Sequence, residues 1–544
     1  MKDIKSFYKG TILIAAVVVC SCFIGQKIND FFVNKYTNQN AVVDTEFGDF
    51  LAAQHALYVN DFNSASKMLE NVKFDSDVVN QSRGLSDFFM GKMPNNVDSL
   101  KDSKDLASRL IYDAHLIDKD DWKTLYSRHA KDDSVFMAPL RIFSSVHQGK
   151  SADAKKYVDS LKVNSSWKAF VRGQIAVLNN DVKQAAKEFA DVHPDFMNIN
   201  DYLYLMSFYK ENNMTEDMDI LRDDFLAKPG GMYVFDYDDI PDWSNYAGYK
   251  NNLVFSVIQN VSHTQIMIFT DLSLMLLKFA YVVSPDANQD AINYYLGQYY
   301  FYNFGDCETS FNAIDKKSPL YLFGQMKIAE KNGDIRMLRQ IVQKNPLFIP
   351  AAKVVIANDI QRGDKHSALK VVNRALKQKN LTDEGRVFFL KHRANIYLMF
   401  NQPKKAQRDL KAVQNIDERL LSDVLLLQAR IWAAQNRNLD DAYDYAMSLV
   451  KRNTSDVEAW DILGVIVEKR EGVDAALELL DRVGEISVST SSLYEHIGDM
   501  HKKKGNKEAA RKAYMRALDL SDDGLVVVPF VEKKLKKVEN IEIL

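Results

Sequence analysis

Residues 457–490 read VEAWDILGVIVEKREGVDAALELLDRVGEISVST, and residues 491–524 read SSLYEHIGDMHKKKGNKEAARKAYMRALDLSDDG. Laid over one another at a shift of 34, the two stretches repeat a pattern of residue sizes. Trp460, Leu463, Gly464, Ala476, Leu480 and Val483 fall on Tyr494, Ile497, Gly498, Ala510, Tyr514 and Ala517, and Ala442 lies a further 34 residues before Ala476. On either side of Lys504-Gly505-Asn506 apolar residues recur every three or four positions, the spacing of one helix face. The reading is two helices joined by a turn in which Gly505 takes positive φ. Small residues at Gly498 and Ala510 let the two helices cross closely, and Ala517 does the same towards the next pair. Tyr494, Ile497 and Tyr514 fill the gaps between. One such hairpin leaves an apolar face uncovered, so copies must stack.

This pattern resembles the tetratricopeptide repeat (TPR), a pair of antiparallel helices. Segment 491–524 departs from it at Asp522, where the family has Pro, and at His501, where it has Tyr. Weaker copies run upstream. Ala406 has Ala394, Tyr397 and Leu410 at matching offsets, and Ala368 follows the turn Gly363-Asp364. Gly333-Asp334 and Gly305-Asp306 mark two more turns, and Ser273, Leu277 and Ala280 resemble another second helix. In the N-terminal half, Ala53, Ala56, Ala65 and Leu69 form one candidate copy; Gly173, Ala176, Ala185 and Phe189 form another. Segments 80–135 and 195–228 read as helical without a phase. The expected fold is an all-α, TPR-like solenoid in two arrays behind an N-terminal signal or anchor.

The expected layout follows. Residues 1–25 form a signal peptide or membrane anchor and 26–44 a tether. Residues 45–228 are degenerate N-terminal helical repeats and 229–250, with Pro229-Gly230-Gly231 and Pro241, are a linker loop. Residues 251–524 are TPR-like repeats, clearest over 420–524, and 525–544 hold a C-terminal capping helix opened by Pro529.

Composition agrees with helices. The 544 residues hold 11 Pro and 22 Gly, too few for the turns of a large β-protein. Seventy basic and 73 acidic side chains leave a net charge of −3, which suggests no polyanionic partner and no nucleic acid. Lys2, Lys5 and Lys9 precede the uncharged run TILIAAVVVCSCFIG at 11–25. This is the pattern of an export signal. Its fifteen residues span roughly 22 Å as a helix, short of the ~30 Å hydrocarbon core. Val19-Cys20-Ser21-Cys22 resembles a bacterial lipobox with Cys22 as the lipidated residue. Lipoprotein, uncleaved anchor and cleaved signal all put the body beyond the membrane, at the cell envelope facing the periplasm.

The chain carries no HExxH, CxxC, GxSxG or phosphate-binding loop. His496 and His501 are five apart on one helix, which sets them on different faces and argues for packing over metal. Asp440-Asp441 suits a helix start, Asp238-Asp239 is a loop pair, and Cys307 reads as a buried thiol. No cofactor, metal or small-molecule substrate is expected, and the chain is read as a non-enzyme. The resemblance implies instead a concave groove lined by the first helix of each pair. The family's contact positions fall on Glu458, Asp461, Val465, Glu468 and Lys469, then on Ser492, Glu495, Asp499, Lys502 and Lys503. A terminal-carboxylate clamp known in the family finds Lys391 and Asn395, but then meets Gln428, Glu458 and Ile462, so that mode is not expected. The layout is similar to that of Gram-negative envelope TPR proteins, and implies a scaffold or assembly factor for other proteins. A structural spacer and an enzyme with a site within 45–250 are the two alternatives.

Overall fold

A computed structural model describes residues 46–58, 61–73, 76–94, 97–226, 240–263, 271–284, 288–303, 305–379, 381–416, 421–486, 490–521 and 531–539. The expected signal or anchor with Cys22, the tether, Asp238-Asp239, Asp522 and Pro529 lie outside these residues. Among the described residues there are 28 α-helices, and no helix is long and apolar enough to cross a membrane. The chain divides into two compact units, up to Tyr112 and from Asp113.

In the first unit, α1 (Glu46–Tyr58) and α2 (Phe62–Asn71) form a hairpin against which α3 (Asp77–Phe89) packs. Ala53, Ala56, Ala65 and Leu69 are its buried contacts. The Asp61 side chain caps α2 by accepting from Ser64 N at 3.0 Å. Arg83 of α3 closes the end of α2 by donating to the Leu69 and Val72 carbonyls.

The unit boundary falls within α4 (Leu106–Asp118), which is followed by α5 (Trp122–His129). The second unit continues as α6 (Ala138–His147) and α7 (Ser151–Ser160), α8 (Ser165–Leu178) and α9 (Val182–Ala190), and α10 (Ile199–Glu211) and α11 (Thr215–Leu226). Then come α12 (Tyr249–His263) and α13 (Asp271–Val283), α14 (Gln289–Tyr302) and α15 (Cys307–Asn312), and α16 (Tyr321–Lys331) and α17 (Ile335–Lys344). The last pairs are α18 (Ile349–Gln361) and α19 (Lys365–Ala375), α20 (Asp383–Met399) and α21 (Pro403–Gln414), and α22 (Leu421–Gln435) and α23 (Leu439–Arg452). They are followed by α24 (Val457–Glu471) with α25 (Val473–Ile486), α26 (Ser491–Lys503) with α27 (Lys507–Ser521), and the single α28 (Val531–Glu539).

One turn recurs between the two helices of a pair. A residue with positive φ (Asp120, Asn180, Gly333, Gly363 or Gly505) is followed by Asp or Asn. That second residue caps the next helix: Asp121 accepts from Thr124 N at 3.0 Å, Asp181 from Gln184 N at 3.0 Å, and Asp364 from Ser367 N at 3.0 Å. Such caps satisfy donors that a helix start leaves open.

The crossings are held by glycine. A Cβ at Gly173 would lie 2.2 Å from the Phe189 ring; at Gly297 it would lie 2.4 Å from Phe311, at Gly464 2.5 Å from Leu480, and at Gly498 2.6 Å from Tyr514. In each case the first helix leaves a gap that a large side chain of the second helix fills. Ala476 packs in the same core as Gly464's neighbour Leu480. Ala510, Tyr514 and Ala517 share a cluster with Val531 and Val538, so α28 covers the end of the array. Trp460 and Tyr494 are half-buried at the edges of these cores.

Successive first helices (α20, α22, α24, α26) pack on one another, while the second helices meet chiefly the first helices on either side. The first helices therefore line the inner, concave side.

Candidate protein-binding face

The inner face differs along the second unit. Over α6–α12 it is filled by the chain itself. Helix α12 lies against α6 and α8, although more than 70 residues separate it from them in sequence. Residues 252–261 of α12 are buried without exception. Phe255 stacks on Phe170 of α8 at 5.4 Å and meets Tyr204 of α10 at 4.4 Å. Its polar residues fall in a stripe: Asn252, Ser256, Gln259, Asn260 and His263. The inner face reads each of them. Asn252 accepts from Tyr204 OH at 2.7 Å, Ser256 donates to Gln174 at 2.7 Å, and Asn260 accepts from Trp167 Nε1 at 3.0 Å. Gln259 donates to Asp201 at 2.9 Å, and His263 sits 2.6 Å from the other Asp201 oxygen. Buried amides and hydroxyls paired to specific partners in this way fix one register for the helix. Residues 240–248 complete the enclosure, with Trp243 edge-on to Tyr204 at 5.2 Å and Ser207 donating to the Pro241 carbonyl at 2.8 Å.

Over α20–α28 the inner face carries charge instead, and the charges join one first helix to the next. Arg430 of α22 donates to Asn395 of α20 at 3.3 Å and lies 3.7 Å from Glu458 of α24. Asp461 of α24 meets His496 of α26 at 2.5 Å and accepts from Ser492 at 2.7 Å. Glu468 pairs with Lys503. Lys534 of α28 reaches Glu495 at 2.6 Å and Asp499 at 2.5 Å, and Asp499 also accepts from Tyr514 OH at 2.7 Å.

The structure thus places the residues expected to contact a ligand in two groups. Asp461 is 4% exposed and Glu495 8%, and both are committed to a neighbouring helix, as are Glu468, Asp499 and Lys503. Glu458 keeps 66% of its side chain in solvent, and Lys469 and Lys502 are exposed. Val465 is half-buried between them and the core. Sequence spacing found the face but not the partners, because His496, Arg430 and Lys534 stand at offsets outside the repeat signature. Of the clamp positions, Asn395 is taken by Arg430, Gln428 accepts from Gln407 at 3.4 Å, and Ile462 is buried.

Titration follows this geometry. Burial opposes charge on Asp461, but His496, Ser492 and Arg430 outweigh it and hold the carboxyl below its ordinary range. Burial likewise opposes charge on His496, yet Asp461, with Glu495 and Asp499 behind it, carries the imidazole above its usual value. Burial pushes Glu495 up, while Glu495 and Asp499 raise Lys534 against its own desolvation.

Two further histidines with carboxylate partners lie in or near 45–250, where the enzyme alternative would place a site. His129 is fully buried between Asp113 at 2.8 Å and Asp132 at 3.6 Å, with Arg128 on the second Asp113 oxygen at 2.8 Å. His263 joins Asp201 under the Phe196 ring, stacked at 3.9 Å. Both are bonded into helix contacts. Among the described residues no group of three or more His, Cys, Asp or Glu is arranged to hold a metal. Cys307 is fully buried at the start of α15. His501 is half-buried at the end of α26, away from His496's partner Asp461.

The pairing of helices, the glycine crossings and the inner-face placement of the first helices decide the architecture. It is a tetratricopeptide-like solenoid. No protein-family model matches the chain, and no curated protein matches it in sequence. Solved structures that it resembles include a tetratricopeptide repeat protein from Parabacteroides merdae, at a TM-score of 0.35 and 16% identity, covering 46% of this chain and 99% of that one. A chain of the APC/C hetero-tetramer Cut9–Hcn1 aligns at 0.29 and 13% identity, over 91% of this chain and 96% of that one. Yeast Tom70 aligns at 0.30 and 11% identity, over 92% and 96%.

Proposed function

We propose that this chain is a non-enzymatic scaffold that holds another protein on the inner face of α20–α26, at the bacterial cell envelope. One observation carries the reading. The N-terminal repeats already hold a helix in their groove, α12, through Trp167, Phe170, Gln174, Asp201 and Tyr204. The equivalent face of α24 and α26 meets no such helix among the described residues, and Glu458, Lys469 and Lys502 point into solvent there. Helix-in-groove docking is a common mode of peptide recognition. The basic flank and apolar run of residues 1–25 support envelope placement, with Cys22 as a lipidation site.

The test is a photo-reactive amino acid placed at Val465 or Lys502 in the full chain, with Arg516 on the outer face of α27 as control. A discrete adduct from the two inner positions and none from Arg516 supports the groove, and the adduct identifies the partner. Equal labelling from all three sinks it. The ladder from Asn395 to Lys534 favours one other reading, a rigid spacer whose inner charges serve only to lock repeats together. Absence of any adduct at Val465 and Lys502, with the chain intact in membranes, selects the spacer. Protease protection that ends when the outer membrane is opened tests the placement.

A further inference from the structure

The net charge of −3 conceals a segregation. Residues 335–414 hold 17 Lys and Arg against 5 Asp and Glu, while the rest of the chain holds 53 against 68. The acids of this block are largely spent inside it. Asp359 is buried against Arg339 at 2.5 Å, Asp409 against Arg393 at 2.7 Å, and Asp364 caps α19. Part of the excess positive charge is engaged, as in Arg339, Arg393 and Lys365, but eight of the basic side chains stand exposed on or just beyond the second helices. Arg336 and Lys344 are exposed on α17, and Lys370 and Arg374 on α19 with Lys377 just beyond its end. Lys404, Arg408 and Lys411 are exposed on α21 at i, i+4 and i+7. These are second helices of three successive hairpins, so their outward faces form a basic ridge on the convex side, opposite the groove. None of these eight residues has an ion pair among the described residues.

We propose that the convex face of α17, α19 and α21 docks on an anionic lipid headgroup surface. A membrane surface requires only a row of positive charges within a Debye length of it, and this ridge supplies that. Nucleic acid fits less well. Helices α17, α19 and α21 contain no Phe, Tyr or Trp, whereas single strands are held by stacking on aromatic rings. A convex row of three helices is also too broad to enter a duplex groove, which admits one. The acidic remainder of the chain is repelled by the same surface, which fixes the orientation and turns the groove of α20–α26 away from the lipid. The proposal stands independently of the groove reading and of the fate of residues 1–25.

The experiment is sedimentation of the full chain with vesicles of phosphatidylcholine alone and of phosphatidylcholine mixed with phosphatidylglycerol. The apolar run at 11–25 contributes to both, and Lys2, Lys5 and Lys9 add an anionic preference common to the chain and its variants, so the change in that preference on substitution reports the ridge. Each basic residue at such a surface is worth roughly five-fold in affinity. The mixed vesicles are expected to bind at least about a hundred-fold tighter at low salt, and the difference to vanish at high salt. Replacing Lys370, Arg374, Lys377, Lys404, Arg408 and Lys411 with Glu is expected to cut the preference to what the N-terminal lysines supply, and replacing them with Gln to reduce it less far. Lys183→Glu with Lys187→Glu, exposed on α9, is expected to leave it unchanged. Helical circular dichroism checks folding, and the Gln variant carries the test if the Glu variant unfolds. Equal binding to both vesicles overturns the proposal. So does a preference left unchanged by the Gln and Glu changes, or a single-stranded RNA oligonucleotide that displaces the chain from the mixed vesicles and depends on the same residues.

Discussion

The α6–α12 and α20–α28 segments use the same helical hairpin and the same inner-face positions for different ends. In the first, those positions are aromatic and uncharged for the most part, and they enclose a helix of the same chain. In the second they are charged and pair sideways, helix to helix, leaving the centre of the face to solvent. The difference shows that a TPR-like groove is not by itself a free binding site. An inner face of Trp167, Phe170, Gln174 and Tyr204 is satisfied only when something fills it. An inner face built on Asp461–His496 and Glu468–Lys503 is satisfied when empty.

The largest effect expected from breaking this contrast is at Phe255. Its ring is fully buried among Phe170, Tyr204 and Tyr246. Phe255→Ala removes the main anchor of α12 and is expected to cost about 3–5 kcal/mol. Repeat arrays unfold in pieces, so hydrogen exchange is the appropriate readout alongside denaturation. Protection is expected to fall across α8, α10 and α12 and to hold in α24 and α26. Uniform loss through the second unit would mean that α12 is ordinary core and not the occupant of a groove.

The two regions are expected to agree at the glycine crossings. Gly173→Ala and Gly498→Ala each drive a Cβ into a ring, Phe189 or Tyr514, and each is expected to cost about 1–3 kcal/mol. Phe189 is wedged among Phe170, Tyr204 and Phe208, and Tyr514 is tethered through its hydroxyl to Asp499. Neither ring is free to swing aside. A neutral result at either glycine, read by the denaturation midpoint, would show that the hairpin relaxes more than this packing allows.

Dependence on pH separates the regions again. His496 has a folded-state pKa above its ordinary value, so its contribution is fully present below about pH 6.5 and is lost as pH rises through that raised pKa. Asp461, held low, contributes above the carboxylate range, and that part is lost only in acid. Between pH 6 and pH 9, then, the α24–α26 contact is expected to weaken. The Gln174–Asn252–Tyr204 seat of α12 should not change, since burial keeps the Tyr204 hydroxyl protonated well beyond that range. Hydrogen exchange of α26 against α8 at the two pH values reads both. Parallel loss in both helices would remove His496 as the cause, as would a response that survives His496→Gln.

What was legible in the sequence follows the same division. The signature Gly464, Ala476, Gly498, Ala510, Tyr514 and Ala517 revealed the fold, because packing at a crossing tolerates few residue sizes. The turns could have phased the N-terminal half as well. Asp120-Asp121 and Asn180-Asp181 make the same turn as Gly333-Asp334, and only the restriction to glycine hid them. The seat of α12 was not legible. Its polar stripe reads as the solvent face of an amphipathic helix, and nothing local shows that Gln174 and Trp167, some 80 and 90 residues earlier, come to meet it. The charged face was legible in position and not in pairing, since ion pairs between helices depend on the stacking angle and not on the period.

The smallest expected effect concerns the rim of that charged face. Lys503 is half-exposed, and its partner Glu468 is mostly covered. Lys503→Ala removes an ion pair whose cationic end is already solvated, so the cost is expected to stay below about 1 kcal/mol and to shrink further with salt. The same change frees the Glu468 carboxylate beside Lys469 and Lys502, leaving the inner face more acidic where a partner would lie. A partner bound through its own basic residues would then bind more tightly as the pair is lost, and one bound through acids more weakly, at almost unchanged stability. If stability drops by several kcal/mol instead, the ladder is what holds the repeats together. The face would then belong to the architecture of the solenoid and not to recognition.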